Sequence, residues 1–330
     1  MIVIFSIHGD VSTDEVCKIL LSEKQDFVRI NDDLVTNKGD YKYSIESSLL
    51  TLITPSRPEG VFINLRGRNS IWNRKFGFYS KSELQANSKK QLNNQLSSYL
   101  NSEYYALLKY FKSSLRHSNN FWLLPDKQVD KMTQLRVARE VGLIVPRTII
   151  TNEKDSVISF MKECPKSIVK PLKAGKIFFR SNLTLPLLTA RLDLNKVQGM
   201  GETFFPSIIQ EEIEKEIEIR VFIAEAKFYS MAIFSQNSGR TDVDFRNYDH
   251  NKPNRNVPYT LPLKVKSAIK RLMKGLGINT GSVDLIKNKA GEYYFLEVNP
   301  SGQYGMVSQP CNFNINRDIA EILIKHNGIT

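Results

Sequence analysis

Asp284, Glu297 and Asn299 have the residue types and spacing of a site for a hard divalent cation. Asp284 lies in the run Ser282-Val283-Asp284-Leu285-Ile286, and the other two lie in Tyr294-Phe295-Leu296-Glu297-Val298-Asn299-Pro300. Side chains two apart on a strand share a face, so Glu297 and Asn299 project together. Between the runs, Lys287-Asn288-Lys289-Ala290-Gly291 is turn chemistry that returns the second strand beside Asp284. Magnesium takes oxygen ligands, commonly one or two carboxylates completed by substrate phosphates. The three residues therefore predict the metal end of a magnesium–nucleotide site.

Phosphates need cations, and two lysines upstream are placed to supply them. Lys170 closes the buried run Ser167-Ile168-Val169-Lys170-Pro171 beside a Gly-containing loop, where an ammonium can reach phosphate oxygens as a point charge. Lys131, in Asp130-Lys131-Met132, lies one helix earlier, with Lys127 as a competing candidate. Ile209-Gln210-Glu211-Glu212-Ile213 is a strand-like stretch leading to Glu218. With Leu296 opposite, it has the apolar faces and backbone polar groups that a purine requires, and Glu218 can accept from ribose hydroxyls. Arg220, Arg240, Arg246 and Arg255 gather between this stretch and the metal strands, with Asn247 following Arg246. Guanidinium forks suit phosphates and a developing oxyanion.

Other chemistries lack their signatures. The chain has no Walker motif, no Gly-x-Gly-x-x-Gly and no kinase-type His-Arg-Asp. His8, His117, His250 and His326 show no ligand spacing, and no Ser or Cys sits in a nucleophile motif. Cys17, Cys164 and Cys311 are odd in number and far apart, which argues against a disulfide framework or a zinc site.

The elements that must carry these residues alternate in type. Ile2–Ile7, Phe27–Ile30 and Gly60–Leu65 are short apolar runs interleaved with helical stretches, the first opening on the capping box Ser12-x-x-Glu15. This predicts a small α/β domain over 1–120. Leu92, Leu96, Tyr99, Leu100, Leu107, Leu108 and Phe111 recur at near-helical spacing, predicting a packed helix within 84–111. A second unit, 121–207, opens near Trp122, with Asp126 capping a helix that runs to Gly142. Strands follow near Arg147–Ile150, Ser167–Pro171 and Ile177–Arg180. The third unit, 208–330, begins with a hairpin of Glu218–Ala224 against Phe228–Ser235, turning at Glu225-Ala226-Lys227. Residues 236–262 read as a long polar loop, of the kind that is usually functional. A helix ended by Gly275, the metal strands and a last helix carrying Ile315, Ile319, Ile322 and Leu323 complete the chain.

At 330 residues, 41% apolar and 24% charged, the composition is that of a globular protein of two or three domains. No apolar stretch is long enough to span a bilayer, and residues 1–7 lack the features of a signal peptide, which places the chain in the cytoplasm. The net charge of +12 calls for an anionic partner. The lysines are scattered, without the aromatic interleaving or module of a nucleic-acid binder. Lys173–Lys176 and Arg66–Lys75 are the nearest to basic patches and read as solvated loops.

Lys131, Lys170, Gln210–Ile213, Glu218, Asp284, Glu297 and Asn299, in this order, resemble an ATP-grasp ligase. Gln134-Leu135-x-x-Ala138-x-x-x-Gly142-Leu143, Pro146–Asn152, Asp244-Phe245-Arg246-Asn247-Tyr248, Asn254-Arg255-x-x-Pro258-Tyr259-x-Leu261-Pro262 and Phe295–Cys311 narrow the likeness. They resemble the graspetide synthetases, ATP-grasp maturases that cyclise ribosomal precursor peptides such as microviridins, and within them the grasp-with-spasm type. Ile71-Trp72-Asn73-Arg74-Lys75 resembles an element of that group's N-terminal domain.

The resemblance implies an α/β (α+β) architecture: a pre-grasp domain, then two subdomains clasping ATP between antiparallel sheets. It implies that Lys131 and Lys170 hold phosphates, Glu211 and Glu212 the adenine edge, Glu218 the ribose, and Arg246 and Asn247 the triphosphate region. Asp284, Glu297 and Asn299 would hold two magnesium ions. Arg220 with Arg246 would stabilise an oxyanion. The implied partner is a precursor peptide with a leader, bound within 172–206, and an acidic core; a homodimer is also implied, and neither nucleic acid nor membrane. The implied reaction activates Glu or Asp carboxylates as acyl phosphates and joins them to Thr or Ser hydroxyls, or to Lys amines. A ligase adding free amino acids to a protein or peptide tail is the alternative, and a non-catalytic nucleic-acid binder a remote one.

Overall fold

The computed structural model describes residues 1–31, 42–46, 49–54, 57–75, 94–116, 119–125, 129–172, 177–180, 183–186, 189–235 and 254–328. The N-terminal region is built on a parallel sheet of β1 (Ile2–Ser6), β2 (Phe27–Asn31), β6 (Ser70–Asn73) and β7 (Phe121–Leu123), in the order β2-β1-β6-β7. The near-continuous apolar run of β1 suits a parallel strand buried on both faces. Val3 and Phe5 pack toward a second, antiparallel sheet of β3 (Lys42–Glu46), β4 (Leu49–Thr54) and β5 (Arg57–Asn64), while Ile2 and Ile4 pack on the C-terminal region. Gly60–Leu65, expected as one of the first domain's alternating strands, thus falls largely in β5 of this separate sheet.

One helix start and one helix face in this region depart from expectation. α1 (Val11–Ser22) is preceded by Asp10 as its N-cap, so Ser12 lies inside the helix instead of capping it. α2 (Asn94–Ser114) forms as the apolar spacing predicts, but Tyr104 is buried and Leu107 half-buried, while Leu96, Tyr99 and Leu100 stand exposed. Among the described residues, only the later part of its stripe has a core to face.

The central region begins with α3 (Lys131–Glu140). Its cap is Asp130, whose carboxylate accepts from the Thr133 N–H at 2.9 Å and the Thr133 hydroxyl at 2.6 Å. Asp126, the expected cap, lies outside the described residues. β8 (Thr148–Glu153), β9 (Ser167–Lys170), β12 (Ala190–Arg191) and β13 (Thr203–Glu211) form a sheet in the order β12-β9-β13-β8. α4 (Lys154–Glu163) and α5 (Leu194–Gln198) cover one face, with Val157, Phe160, Met161, Val197 and Ile209 as the core. A separate hairpin joins β10 (Ile177–Arg180) to β11 (Leu183–Pro186). β7 pairs with β6, so the chain leaves the first sheet only after the expected division at 120; β13 runs through the expected division at 207.

The C-terminal sheet is antiparallel throughout: β14 (Lys215–Ala224), β15 (Lys227–Phe234), β16 (Arg255–Pro258), β17 (Thr280–Asn288) and β18 (Tyr293–Asn299), ordered β16-β15-β14-β17-β18. β16 lies in the stretch expected to be loop, where Val257 and Pro258 suit an edge strand. The β14–β15 turn is Glu225–Ala226, with Glu225 at φ 51, and Lys227 already pairs with Ala224. α6 (Leu263–Leu276) runs past Gly275 and ends at Gly277, which takes the left-handed conformation at φ 65. Gly275 serves packing instead: a Cβ there would meet Val137 Cγ1 of α3 at 2.8 Å. α3 and α6 cover one sheet face; α7 (Gly305–Ser308) and α8 (Ile315–Lys325) share the other with the N-terminal region.

Candidate active site

Strand register assembles the acidic end of the site. Arg220 on β14 pairs with Asp284 on β17, which pairs with Glu297 on β18; Ser282 pairs with Asn299. Residues of the opposite parity, Ile219, Val221, Val283, Leu285 and Val298, belong to the core under α3 and α6. The polar set is thereby directed to the other face. Leu296 occupies a bulge, where the register shifts between Asp284–Glu297 and Leu285–Phe295, and this shift keeps Glu297 and Asn299 on the polar face.

Within this set the charges are buried and paired. Arg220 Nη1 lies 3.3 Å from Asp284 Oδ1, and the two residues are 6% and 8% exposed. One strand step along β14, Glu218 accepts from Lys215 Nζ and, at 2.7 Å, from the Ser235 hydroxyl. Buried carboxylates need such partners, because an uncompensated charge in a low-dielectric interior is costly.

The central sheet supplies the cations. Lys170 and Gln210 lie on the sheet face opposite to Val169 and Ile209, which pack under the helices. Lys170 Nζ donates to Gln210 Oε1 at 2.7 Å, and Gln210 Nε2 donates to the Thr148 hydroxyl at 2.9 Å. Lys131, in the first turn of α3, reaches the Pro171 carbonyl at 3.4 Å and Glu297 Oε2 at 3.6 Å. It joins the end of β9 to the acidic strand, so both predicted phosphate lysines converge on the same edge.

Both carboxylates of the Glu211–Glu212 pair are engaged: Glu211 accepts from the Arg147 N–H at 3.2 Å, and Glu212 takes a bidentate contact from Arg191, as close as 2.6 Å. Their backbone N–H groups donate to the Arg147 and Lys166 carbonyls, both at 2.9 Å. A cleft of about 470 Å³ opens here, with Arg191, Leu192, Glu212, Ile213 and Lys215 among its lining residues. Arg246 and Asn247 lie outside the described residues, as do Arg240, His250, Lys127 and Lys173–Lys176. Arg255 is on edge strand β16, over the Phe234 ring.

Four contributors escape a reading of spacing alone: Lys215 and Ser235, which hold Glu218; Arg191, which holds Glu212; and Gln134, which bonds the backbone of β18. Lys215 and Glu218 are three apart, a spacing that does not put strand residues on one face; the register irregularity between Lys215 and Ile217 makes the contact. Arg74 is also not the solvated loop residue expected of Arg66–Lys75, being only 3% exposed.

The donor set suits magnesium. Two carboxylates and an amide oxygen on adjacent strands are too few to enclose an ion, and among the described residues no group of three or more His, Cys, Asp or Glu could hold a metal. Oxygen donors of this kind are ones that magnesium takes together with phosphate oxygens.

No protein-family model matches the chain, and no curated protein matches it by sequence. Solved structures do match along its whole length. It is similar to the Chryseobacterium gregarium RiPP-associated ATP-grasp ligase in complex with ADP, and a leader and core peptide, at TM-score 0.83 and 21% identity, covering 100% of this chain and 99% of that one. It is similar to the macrocyclase MdnC bound with precursor peptide MdnA from Microcystis aeruginosa MRC, at TM-score 0.80 and 23% identity, covering 98% and 100%. The D-alanyl-alanine synthetase A from Vibrio cholerae is more distant, at TM-score 0.58 and 12% identity, covering 99% and 97%. The chain has the ATP-grasp fold. The central sheet and the C-terminal sheet are then the sheets of its two ATP-grasp subdomains.

Proposed function

We propose that this ATP-grasp protein is an ATP-dependent peptide macrocyclase of the graspetide type. The observation that carries the proposal is the alignment of Arg220, Asp284 and Glu297 across three strands, with Lys131 bridging Glu297 to the end of the lysine-bearing strand. The full-length similarity to ligases solved with precursor, leader or core peptides supports a peptide substrate.

In this reading Asp284, Glu297 and Asn299 hold two magnesium ions, Lys131 and Lys170 hold phosphate oxygens, and Glu218 accepts from the ribose. Ile213 and Leu296 offer apolar contact to adenine, with Gln210, Glu211 and Glu212 framing the slot. Arg246 and Asn247 belong to the triphosphate region. Bound magnesium offsets phosphate charge, which lets a peptide Glu or Asp carboxylate approach the γ-phosphorus. The carboxylate oxygen bonds to that phosphorus as the bond to ADP breaks, giving an acyl phosphate. A Thr or Ser hydroxyl, or a Lys amine, of the same peptide then attacks the carbonyl carbon, loses its proton and expels inorganic phosphate. Arg220 and Arg246 lower the cost of the tetrahedral oxyanion.

The leader is assigned to 172–206, the functional unit to a homodimer and its compartment to the cytoplasm. No helix among the described residues is long and apolar enough to cross a membrane. The domain divisions are put near 120 and near 207, and three units are supported by the passage of strand pairing from one sheet to the next between β7 and β8 and between β13 and β14.

Incubation with ATP, magnesium and a candidate acidic precursor tests the function. Loss of one water from the peptide per ADP released is the expected result. A gain of one amino-acid residue in mass would identify a ligase of free amino acids instead, and absence of ATP-dependent modification with tight, salt-sensitive oligonucleotide binding would overturn both.

A further inference from the structure

The chain just after Asn299 is held from the far side by the N-terminal domain. Arg74, at the end of β6, sends Nη1 to the carbonyls of Ser301 at 2.8 Å and Gly302 at 3.1 Å, and Nη2 to Gln303 Oε1 at 2.9 Å. Its guanidinium lies 5.4 Å from the Tyr304 ring centroid. Behind it, Asp10 Oδ2 is 3.4 Å from Nε, and the Asp10 carboxylate is fixed in turn by Thr13 at 2.7 Å and Lys75 at 2.9 Å. The Arg74 side chain is 4% exposed and that of Asp10 is 1% exposed.

This grip continues into the acidic strands. The Gly302 N–H donates to the Asn299 carbonyl at 3.1 Å. A Cβ on Gly302 would fall 2.5 Å from Ser282 Oγ, on the residue paired with Asn299. A Cβ on Gly281 would likewise fall 3.0 Å from the Asn299 carbonyl oxygen. The Asn299 carbonyl is thus closely approached by both Gly281 and Gly302, and the carbonyl of Gly302 is one of the groups that Arg74 grasps. A shift of Gly302 in the direction of that Cβ would press on Ser282 and Asn299.

We infer that Arg74 is a positioning residue for the divalent-cation site, acting through Ser301 and Gly302 to fix Asn299. The inference rests on the proposed metal role of Asn299. A buried ion pair contributes little net stability, but a planar fork sets direction, and here it spends its donors on the one loop that follows the metal strand. Lysine would keep the charge opposite Asp10, yet a single ammonium cannot reach all three oxygens in their directions.

The test is titration of Mn²⁺, followed by electron paramagnetic resonance, into the full chain with ADP, alongside metal-free ADP binding. Arg74→Lys is expected to weaken Mn²⁺ binding about 10-fold, as loss of an outer support does at metal sites, with metal-free ADP affinity unchanged. Wild-type Mn²⁺ affinity in folded Arg74→Lys overturns the inference. If that variant does not fold, Gln303→Ala removes one contact of the fork and keeps the Asp10 pair; a loss of about threefold supports the inference, and no loss overturns it. A wild-type chain that binds no Mn²⁺ with ADP removes the metal-site reading itself, and the inference with it.

Discussion

Gln134 of α3 bonds both backbone groups of Val298: its Oε1 accepts from the N–H at 2.7 Å and its Nε2 donates to the carbonyl at 3.0 Å. β18 is the last strand of its sheet, so this side chain takes the place of a sixth strand between the two metal candidates on either side of Val298. The same edge is met by Ile144, whose carbonyl accepts from the Phe295 N–H at 2.8 Å.

Gln134→Ala should therefore cost more than its polar character suggests. It leaves a buried donor and acceptor of Val298 unpaired, for an expected loss of about 2 kcal/mol. Denaturant unfolding of wild type and variant measures it, and a difference near zero would show that water replaces the amide.

Lys170→Ala and Glu297→Ala should each cut ADP formation by about 100-fold or more, since both remove charge from the place where phosphoryl transfer needs it. Circular dichroism should report an intact fold. Normal turnover in either variant would remove the assignment of that residue.

Asp10 gives the Arg74 anchor a pH dependence. Burial opposes its ionisation, but hydrogen bonds from Thr13 and Lys75, and the charges of Arg74 and Lys75, outweigh that and hold the carboxyl below its ordinary value. A lowered folded pKa contributes stability that is complete above the unfolded value, about 4, and lost as pH falls through the folded one. At neutral pH Asp10→Asn should cost about 3 kcal/mol by leaving Arg74 without its buried counter-charge. The gap to wild type should narrow below about pH 4.

The thiols should be inert. Burial pushes the Cys17 thiol up to about 11, overriding the nearby Arg29 charge, and raises that of Cys311 as well. The thiolate is the reactive form, and Cys164 is 8% exposed. A disulfide exchange reagent should titrate no thiol quickly in the native chain and all three cysteines after unfolding. Fast reaction at one of them would contradict the described packing.

The acidic strands were legible because their information is local: a period of two, a turn of Lys, Asn and Gly, and a Glu-x-Asn pair. The order of lysines, hinge and acids was legible as a resemblance for the same reason. What could not be read depends on distant partners. Arg74 looks like a loop residue until it meets carbonyls 227 and 228 positions away. Gln134 looks like an interruption of an apolar face until β18 arrives against it. Gly275 and Gly277 are equivalent as letters; only the packing of Val137 against one and the positive φ of the other tells them apart. α2 shows the converse, because its apolar spacing is real but Leu96, Tyr99 and Leu100 meet no core among the described residues.

The C-terminal sheet has core on both faces, and this bears on modularity. Phe222, Tyr229, Met231 and Ile233 pack in one cluster with Ile2, Ile4, Val16, Leu20, Trp72 and Leu123. A chain shortened to begin at Pro125 would keep the acidic strands and both lysines, yet turn that apolar surface to water. Such a fragment should aggregate instead of forming a minimal enzyme. The N-terminal region behaves as a graft that cannot be lifted off, and swapping it between related enzymes would succeed only if the underside of the sheet travelled with it.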